Sequence, residues 1–314
     1  MAVTIHDLAR LAGLNASTVS RALRGDLRVK SSTRQRIAEL AAEYGYSPNL
    51  PARQLARGKT GNIWFCFGTP DSELERWPAV RLNDLFHDCG FDLQILLHNN
   101  LPERFRQQLK KLYQRSADGA VLIPPGNTDD CEQLTELVNR LPLPHVFIDR
   151  YWEELSCPVV TTDNAAATRR LVDRCAAWGA REFYLGFSHV NPVERTRGSA
   201  ARKQLEKLGL PWFPYGELIR GHRNPGARPI AVLSSDGRTI GDPPLPAGGT
   251  FFGGFFDYWE NPTAGAYRKV IICRQDFDAI SRISAEYLQR MLAGEKELPP
   301  LTLVPPSTFS EVEQ

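Results

Sequence analysis

The sequence predicts an all-α helix-turn-helix head followed by an α/β body of two parallel-sheet lobes. Three observations carry that expectation. Residues 4–24, TIHDLARLAGLNASTVSRALR, hold two short apolar-periodic segments split at Gly13-Leu14 and restarted at Asn15. From Ile63 onward, short apolar runs alternate with amphipathic stretches, the pattern of strands joined by crossover helices. Charge divides at the same place. Residues 1–60 carry ten Lys/Arg against four Asp/Glu, a net of +6, and the remainder is net −4.

In the head, Thr4 is placed to cap the first helix, and Asp7 three residues on completes a capping box. Ile5, Leu8, Ala9 and Ala12 form its apolar face, and Gly13 permits a tight turn. Asn15 caps the second helix, whose Val19, Ala22 and Leu23 face inward. Ala16, Ser17 and Ser20 are then left to approach base edges, and Thr18 and Arg21 to meet phosphate or base. Side chains this short require a helix lying deep in a DNA major groove. A third helix is expected from Ser31-Ser32 to about Tyr44, with Ile37, Leu40, Ala41 and Tyr44 as its core stripe and Gly45 as its end.

Residues 46–63, YSPNLPARQLARGKTGNI, follow. Asn49 reads as the cap of a short helix over about 50–57, with Pro51 in the first turn, where a missing N–H costs nothing. So short a helix is marginal alone and is expected to form when held by DNA and a partner. Leu55 has little local core and is flanked by Arg53, Arg57 and Lys59. It fits an apolar wedge for the minor groove with the cations on phosphates. The alternative is a linker helix with Leu55 docked on the body.

In the body, strands are expected at IWFCFG (63–68), within FDLQILLHN (91–99), at GAVLIPPG (119–126) and at PHVFIDR (144–150). Helices are expected at 78–90, 102–116 and 129–140. A second lobe opens near CPVVTTDN (157–164), with a helix through 164–178, a strand at EFYLGFS (182–188) and a helix over roughly 195–208. Ligands favour the carboxyl ends of such strands. The boundaries are therefore a helix-turn-helix domain at 1–46, a hinge at 47–60, a first lobe at 61–156 plus about 275–298, and a second lobe at 157–274 plus about 299–314.

TIHDLARLAGLNASTVSRAL, followed by VKSSTRQRIAELAAEYGYSPNLPARQL, closely resembles the LacI/GalR family of bacterial transcription regulators in order and spacing over nearly 60 residues. The resemblance implies homodimers, some of them tetramers. Each head would read half of a palindromic double-stranded operator, and paired hinge helices would open the minor groove. By it, Ala16 and Ser17 sit at operator-discriminating positions and Leu55 at the minor-groove lever. Asn15 replaces the usual Ser or Thr cap, and Pro51 replaces a small or branched apolar residue.

The resemblance also implies a periplasmic-binding-protein-like core with an effector in the interlobe cleft. Arg195, three residues before Gly198, matches the effector-binding arginine. Arg150 follows the strand-end Asp149, and Asp236 in AVLSSD matches a ligand-contacting acid. An Arg and an Asp facing each other across a cleft suit sugar hydroxyls; they also suit a structural salt bridge. RKVIICRQDFDAISRISAEYLQRMLAGE (268–295) fits a strand crossing back to a first-lobe helix, and PLTLVPPSTF (300–309) fits the final crossing.

The second lobe departs from the family. WFPYGELIRGHRNPGAR and the Pro/Gly-rich GRTIGDPPLPAGG stand where relatives place helices, so this lobe is expected to be reduced by about two helices. The sheet face this bares needs a cover: rearranged loops, the aromatic 251–259 segment or another subunit.

The six cysteines form no CxxC pair and the histidines no metal-ligand spacing, so reduced structural thiols and no metal are expected. With no leader-like segment and no apolar run near the roughly 18 residues of a membrane span, a cytoplasmic location is expected. No nucleophile elbow, P-loop, GxGxxG or useful carboxylate pair occurs, which argues against an enzyme or a cofactor. The expected function is operator-binding regulation, as a repressor of a carbohydrate-related operon controlled by a sugar or sugar-phosphate effector. The alternative is a regulator without small-molecule sensing, switched by a protein partner or by its own abundance.

Overall fold

A computed structural model of the chain describes residues 3–46, 58–71, 73–126, 131–220, 228–235, 249–257 and 267–313. The chain divides into two compact units between Thr60 and Gly61.

The first unit holds three helices, α1 (Ile5–Ala12), α2 (Ala16–Leu23) and α3 (Ser31–Glu43). They close on one cluster in which Leu8, Val19 and Ile37 are fully buried. Gly13 ends α1 in the left-handed conformation, at φ 66°, which glycine adopts without the Cβ clash. The Arg34 guanidinium donates to the Val29 carbonyl at 3.0 Å and pins the α2–α3 loop. Tyr44, expected in the core stripe, is instead 42% exposed. It sits at the C-cap, past the last helical turn. The chain turns at Gly45, and the Tyr46 N–H donates to the Ala41 carbonyl at 2.8 Å, so Tyr46 packs on the cluster in its place. The expected hinge helix over 50–57 lies outside the described residues.

The second unit is built on two six-stranded sheets. The first uses β1 (Asn62–Phe67), β2 (Asp92–Leu97), β3 (Gly119–Leu122), β4 (His145–Ile148), β5 (Val159–Thr162) and β11 (Leu301–Val304) in the order β11-β5-β4-β3-β1-β2, all parallel. Helices α4 (Glu73–His87), α5 (Pro102–Tyr113), α6 (Cys131–Asn139) and α10 (Phe277–Leu292) cover it. One face packs Phe65, Phe67 and Val121 under α4 and α10; the other packs Cys66, Leu122 and Phe147 under α5 and α6. The second sheet uses β6 (Glu182–Gly186), β7 (Trp212–Pro214), β8 (Ile230–Ser234), β9 (Phe251–Phe256), β10 (Lys269–Arg274) and β12 (Thr308–Glu313) in the order β12-β10-β9-β8-β6-β7. Helices α7 (Asn164–Ala177), α8 (Pro192–Leu208) and the short α9 (Tyr215–Ile219) flank it.

Four expectations are corrected. The helix expected from residue 78 starts at Glu73 and carries Pro78 inside it. Proline reads as a helix start because its missing N–H is harmless there; here the earlier turn is held by the buried Glu75, which pairs with Arg150 and accepts the Thr69 N–H, while Ala79 packs on the sheet. Residues 157–162 belong to the first lobe, because β5 pairs with β4 and β11. The second lobe opens at Asp163, whose carboxylate caps α7. For the same reason the C-terminal segment is shared, β11 going to the first sheet and β12 to the second. Finally, FFGGFF is an interior strand of the second sheet and not a cover for it. Its glycines are steric requirements: a side chain at Gly254 would overlap the Leu233 methyl group, and one at Gly253 the Phe255 ring.

β12 runs antiparallel to β10, the one departure from parallel pairing among the described strands. Both sheets keep six strands, so any reduction of the second lobe falls on helices. Between β7 and β8 the described residues hold only α9, of five residues, which buries Tyr215 and Leu218 against Val232 and Phe255. Residues 236–248 lie outside the described residues. None of the six cysteines is in a disulfide, and burial pushes the Cys157 and Cys273 thiols up to about 12.

Candidate functional sites on the head and in the interlobe cleft

The head presents α2 as a capped, short helix. Asn15 Oδ1 accepts the Thr18 N–H at 2.7 Å and the Ser17 hydroxyl at 2.7 Å. Thr4 and Asp7 satisfy each other's backbone groups at the start of α1. Thr4 and Asn15 are thus engaged as helix caps, whereas Ser17 and Arg21 stand exposed on the outer face of α2. Ala16 leans toward the head core, and Thr18 and Ser20 are half-buried, Ser20 accepting from Arg24 at 2.6 Å. Asn49, Arg53, Leu55 and Arg57 lie outside the described residues.

In the second unit a cleft of about 450 Å³ lies between the lobes at the carboxyl ends of the strands. Gly126 and Arg150 line it from the first lobe; Ser188, Asn191, Glu194 and Ser235 line it from the second. Arg150 lies across the backbone of Gly126, where a Cβ would meet its guanidinium at 2.7 Å. It forms an ion pair with Glu75, which also accepts the Thr69 N–H at 2.7 Å. Burial raises the Glu75 carboxyl above its ordinary range, and Arg150 opposes that rise. Asp149, at φ 59°, is raised by burial in the same way, against Arg150 and Arg197.

Arg195 does not enter the cleft. Its side chain is 40% exposed, pairs with Glu153 at 2.9 Å and lines two other depressions, of about 390 and 480 Å³. Arg197 is the buried arginine, at 6% exposure. Its Nε donates to Asn164 at 2.7 Å, Nη1 lies 3.6 Å from Glu194, and its face stacks 3.6 Å over Phe256. The reason is helical phase: two residues along a helix is a rotation of roughly 200°. Arg197 shares a stripe with the buried Val193 and Ala201, and Arg195 points away from it. That apolar stripe was the available signal for Arg197. Nothing local signalled Glu75, which meets Arg150 across 75 residues of chain. Asp236 lies outside the described residues, so the expected Arg–Asp pair facing across the cleft is untraced.

A buried polar chain links the lobes behind the cleft. Asn164 donates to the Thr162 carbonyl at 2.9 Å, and the Thr162 hydroxyl donates to Gln275 at 2.6 Å. Gln275 in turn donates to Asp257 through its backbone N–H at 2.9 Å and its side-chain amide at 2.6 Å. Burial raises Asp257 to about 6, opposed by the Gln275 hydrogen bonds and by Arg197. A carboxyl with a raised folded-state pKa holds its proton longer when folded than when unfolded. Its stabilising protonation is therefore lost as pH rises from about 4 to about 6. The expected result is that the wild type loses stability relative to Asp257→Asn across that window, by at most about 1.4 kcal/mol per pH unit, with a constant difference above pH 7. Urea unfolding of both proteins from pH 4 to 8 checks this; a pH-independent difference would refute it.

Among the described residues no group of His, Cys, Asp and Glu has metal-holding geometry, and no helix is long and apolar enough to cross a membrane.

A helix-turn-helix head joined to a two-lobed α/β body with a polar interlobe cleft defines the class of DNA-binding regulators that carry a ligand-binding-type core. Residues 4–49 match the profile described as bacterial regulatory proteins, lacI family. The head thus carries a helix-turn-helix domain of the lacI family. The chain is 29% identical over 254 residues to the sucrose operon repressor of Klebsiella pneumoniae, covering 77% of this chain and 72% of that one. It is 27% identical over 211 residues to catabolite control protein A of Staphylococcus aureus, covering 67% of this chain and 63% of that one. The HTH-type transcriptional regulator PtxS of Pseudomonas putida is 30% identical over 207 residues, 64% of this chain and 58% of its own. The chain thus spans less than two thirds of the last two. In fold it is similar to the lac repressor dimer bound to operator and the anti-inducer ONPF, with a TM-score of 0.77 and 18% identity over 100% of this chain and 98% of that one. The CelR–cellobiose complex gives a TM-score of 0.61 at 17% identity, with 98% of each chain covered.

Proposed function

We propose that this protein is a homodimeric, sequence-specific operator-binding regulator, not an enzyme, that acts in the cytoplasm to repress a carbohydrate-related operon. A sugar-type ligand in the interlobe cleft controls it. The observation that carries this reading is the head: a family-matched helix-turn-helix whose capped α2 presents Ser17 and Arg21 outward. The net +6 of residues 1–60 supports binding to a polyanion. Exposed Trp77 and Val80, three residues apart on α4, and exposed Ile95 on the edge strand β2 support a second copy docking there.

For the ligand to act, it must bind the DNA-competent and DNA-incompetent states unequally. The test is titration of a selected operator with the full-length protein, with and without a panel of sugars and sugar phosphates at fixed salt. A shift of at least about tenfold, roughly 1.4 kcal/mol, supports ligand control. Unaltered tight binding favours the second reading, a regulator switched by a protein partner or by abundance. The placement of Arg195 outside the cleft supports that second reading.

In the same assay Leu55→Ala is expected to weaken operator binding by at least about tenfold through loss of the minor-groove wedge. Arg21→Ala is expected to cost about 1–3 kcal/mol. Affinity should also fall steeply with salt. Unchanged affinity in both variants would sink the DNA-binding assignment.

A further inference from the structure

We infer that the interlobe cleft takes an uncharged polyhydroxyl ligand and rejects its phosphate ester, with Glu75 and Glu194 as the residues that set this specificity. The inference rests on the cleft being a ligand site, as proposed above, and names the chemical class of that ligand.

Recognition of a phosphate needs donors that the protein has not already engaged: a guanidinium, a hydroxyl, or backbone N–H groups at a helix start. Among the described residues, the Arg150 guanidinium, the Ser235 hydroxyl and the Ser188 N–H each meet a carboxylate of the chain itself, and the start of α8 is capped by Asn191, whose Oδ1 accepts the Glu194 N–H at 3.0 Å. On the first-lobe wall, Arg150 is ion-paired to Glu75 and reaches Asn100 Oδ1 at 3.5 Å. On the second-lobe wall, Glu194 lies in the first turn of α8, where the helix start would otherwise favour an anion. Its Oε2 accepts the Ser188 N–H at 2.9 Å, and its Oε1 accepts the Ser235 hydroxyl and lies 3.6 Å from Arg197. Glu194 therefore gathers a backbone N–H, a hydroxyl and a guanidinium, the donor set that a bound phosphate would use. Asp149 adds a further carboxyl beside Arg150 and Arg197.

A sugar hydroxyl both donates and accepts. It can donate to a Glu194 oxygen and accept from a neighbouring N–H while both ion pairs stay intact. A phosphate dianion only accepts. It must displace a carboxylate from its donors and then sit near that buried, unpaired charge.

The experiment is calorimetric titration of the full-length protein with matched pairs, each neutral sugar beside its phosphate ester, and with inorganic phosphate as a probe. Glu75→Gln and Glu194→Gln are run alongside. The wild type is expected to bind a neutral sugar at least about tenfold tighter than its ester and to show no binding of inorganic phosphate. Either variant is expected to shift that preference at least about tenfold toward the ester and to gain phosphate binding. Tighter binding of an ester, or binding of inorganic phosphate, by the wild type overturns the inference and leaves the ligand-control reading standing. If no sugar binds but a variant gains phosphate binding, ligand control by a sugar fails and the assignment to the two glutamates stands. If no sugar binds and neither variant gains phosphate, both are overturned. The wild-type comparison holds even where a variant does not fold.

Discussion

Arg197→Ala is expected to destabilise the second unit by about 3–5 kcal/mol, the cost typical of removing one partner from a buried ion pair. The side chain is almost fully enclosed, hydrogen-bonds Asn164 at 2.7 Å and stacks on Phe256. It is also the cation that opposes the burial-driven rise of both Asp149 and Asp257. Without it, Glu194, Asp149 and Asp257 lose a common counter-charge, and Asn164 Oδ1 loses a donor. Arg195→Ala, two residues away, is expected to cost no more than about 1 kcal/mol, because its pair with Glu153 is exposed. Urea unfolding followed by tryptophan fluorescence separates the two. All six tryptophans lie beyond residue 60, so the signal reports the second unit alone. Equal losses in the two variants would refute the assignment of Arg197 as the buried arginine of α8.

Ile37→Ala is expected to unfold the head and abolish operator binding while leaving the tryptophan-monitored transition unchanged. Ile37 is fully buried, and truncating such a side chain costs about 2–5 kcal/mol. A single core in a unit this small supplies only about 3–5 kcal/mol in total, so the loss is comparable to everything that holds the head together. The control is Tyr44→Ala. The sequence pattern puts Tyr44 in the same stripe, but its exposure limits the expected change to within about 0.5 kcal/mol. Anisotropy of a labelled operator fragment, measured beside the unfolding curves, reads both units in one sample. Operator binding retained by Ile37→Ala, or lost in Tyr44→Ala, would refute this account of the head.

Most of the head was legible because its signals are local. Thr4 with Asp7, Asn15 with Thr18, and Gly13 after a periodic run each act within three or four residues, where spacing fixes geometry. The alternation of strand and helix in the body was legible for the same reason. So was the position of the cleft, because parallel strands with crossover helices direct their carboxyl ends to one side. Tyr44 failed because a stripe extended past the last helical turn no longer obeys helical phase.

By itself, then, the sequence determined a capped helix-turn-helix head, a two-lobed α/β body and the end of the sheets at which a ligand would sit. The tertiary structure alone decided that Val159–Thr162 completes the first sheet, that FFGGFF runs through the middle of the second, and that Arg197 rather than Arg195 is the buried arginine beside the cleft-wall Glu194. It also decided the partners Glu75 with Arg150, Glu194 with Ser235 and Thr162 with Gln275, which are separated by 75, 41 and 113 residues. The physical reason is range. Caps, turns and periodicity are settled by steric and hydrogen-bonding rules over one turn of chain. The pairing of a strand or a buried charge depends on which distant segment the folded topology brings against it.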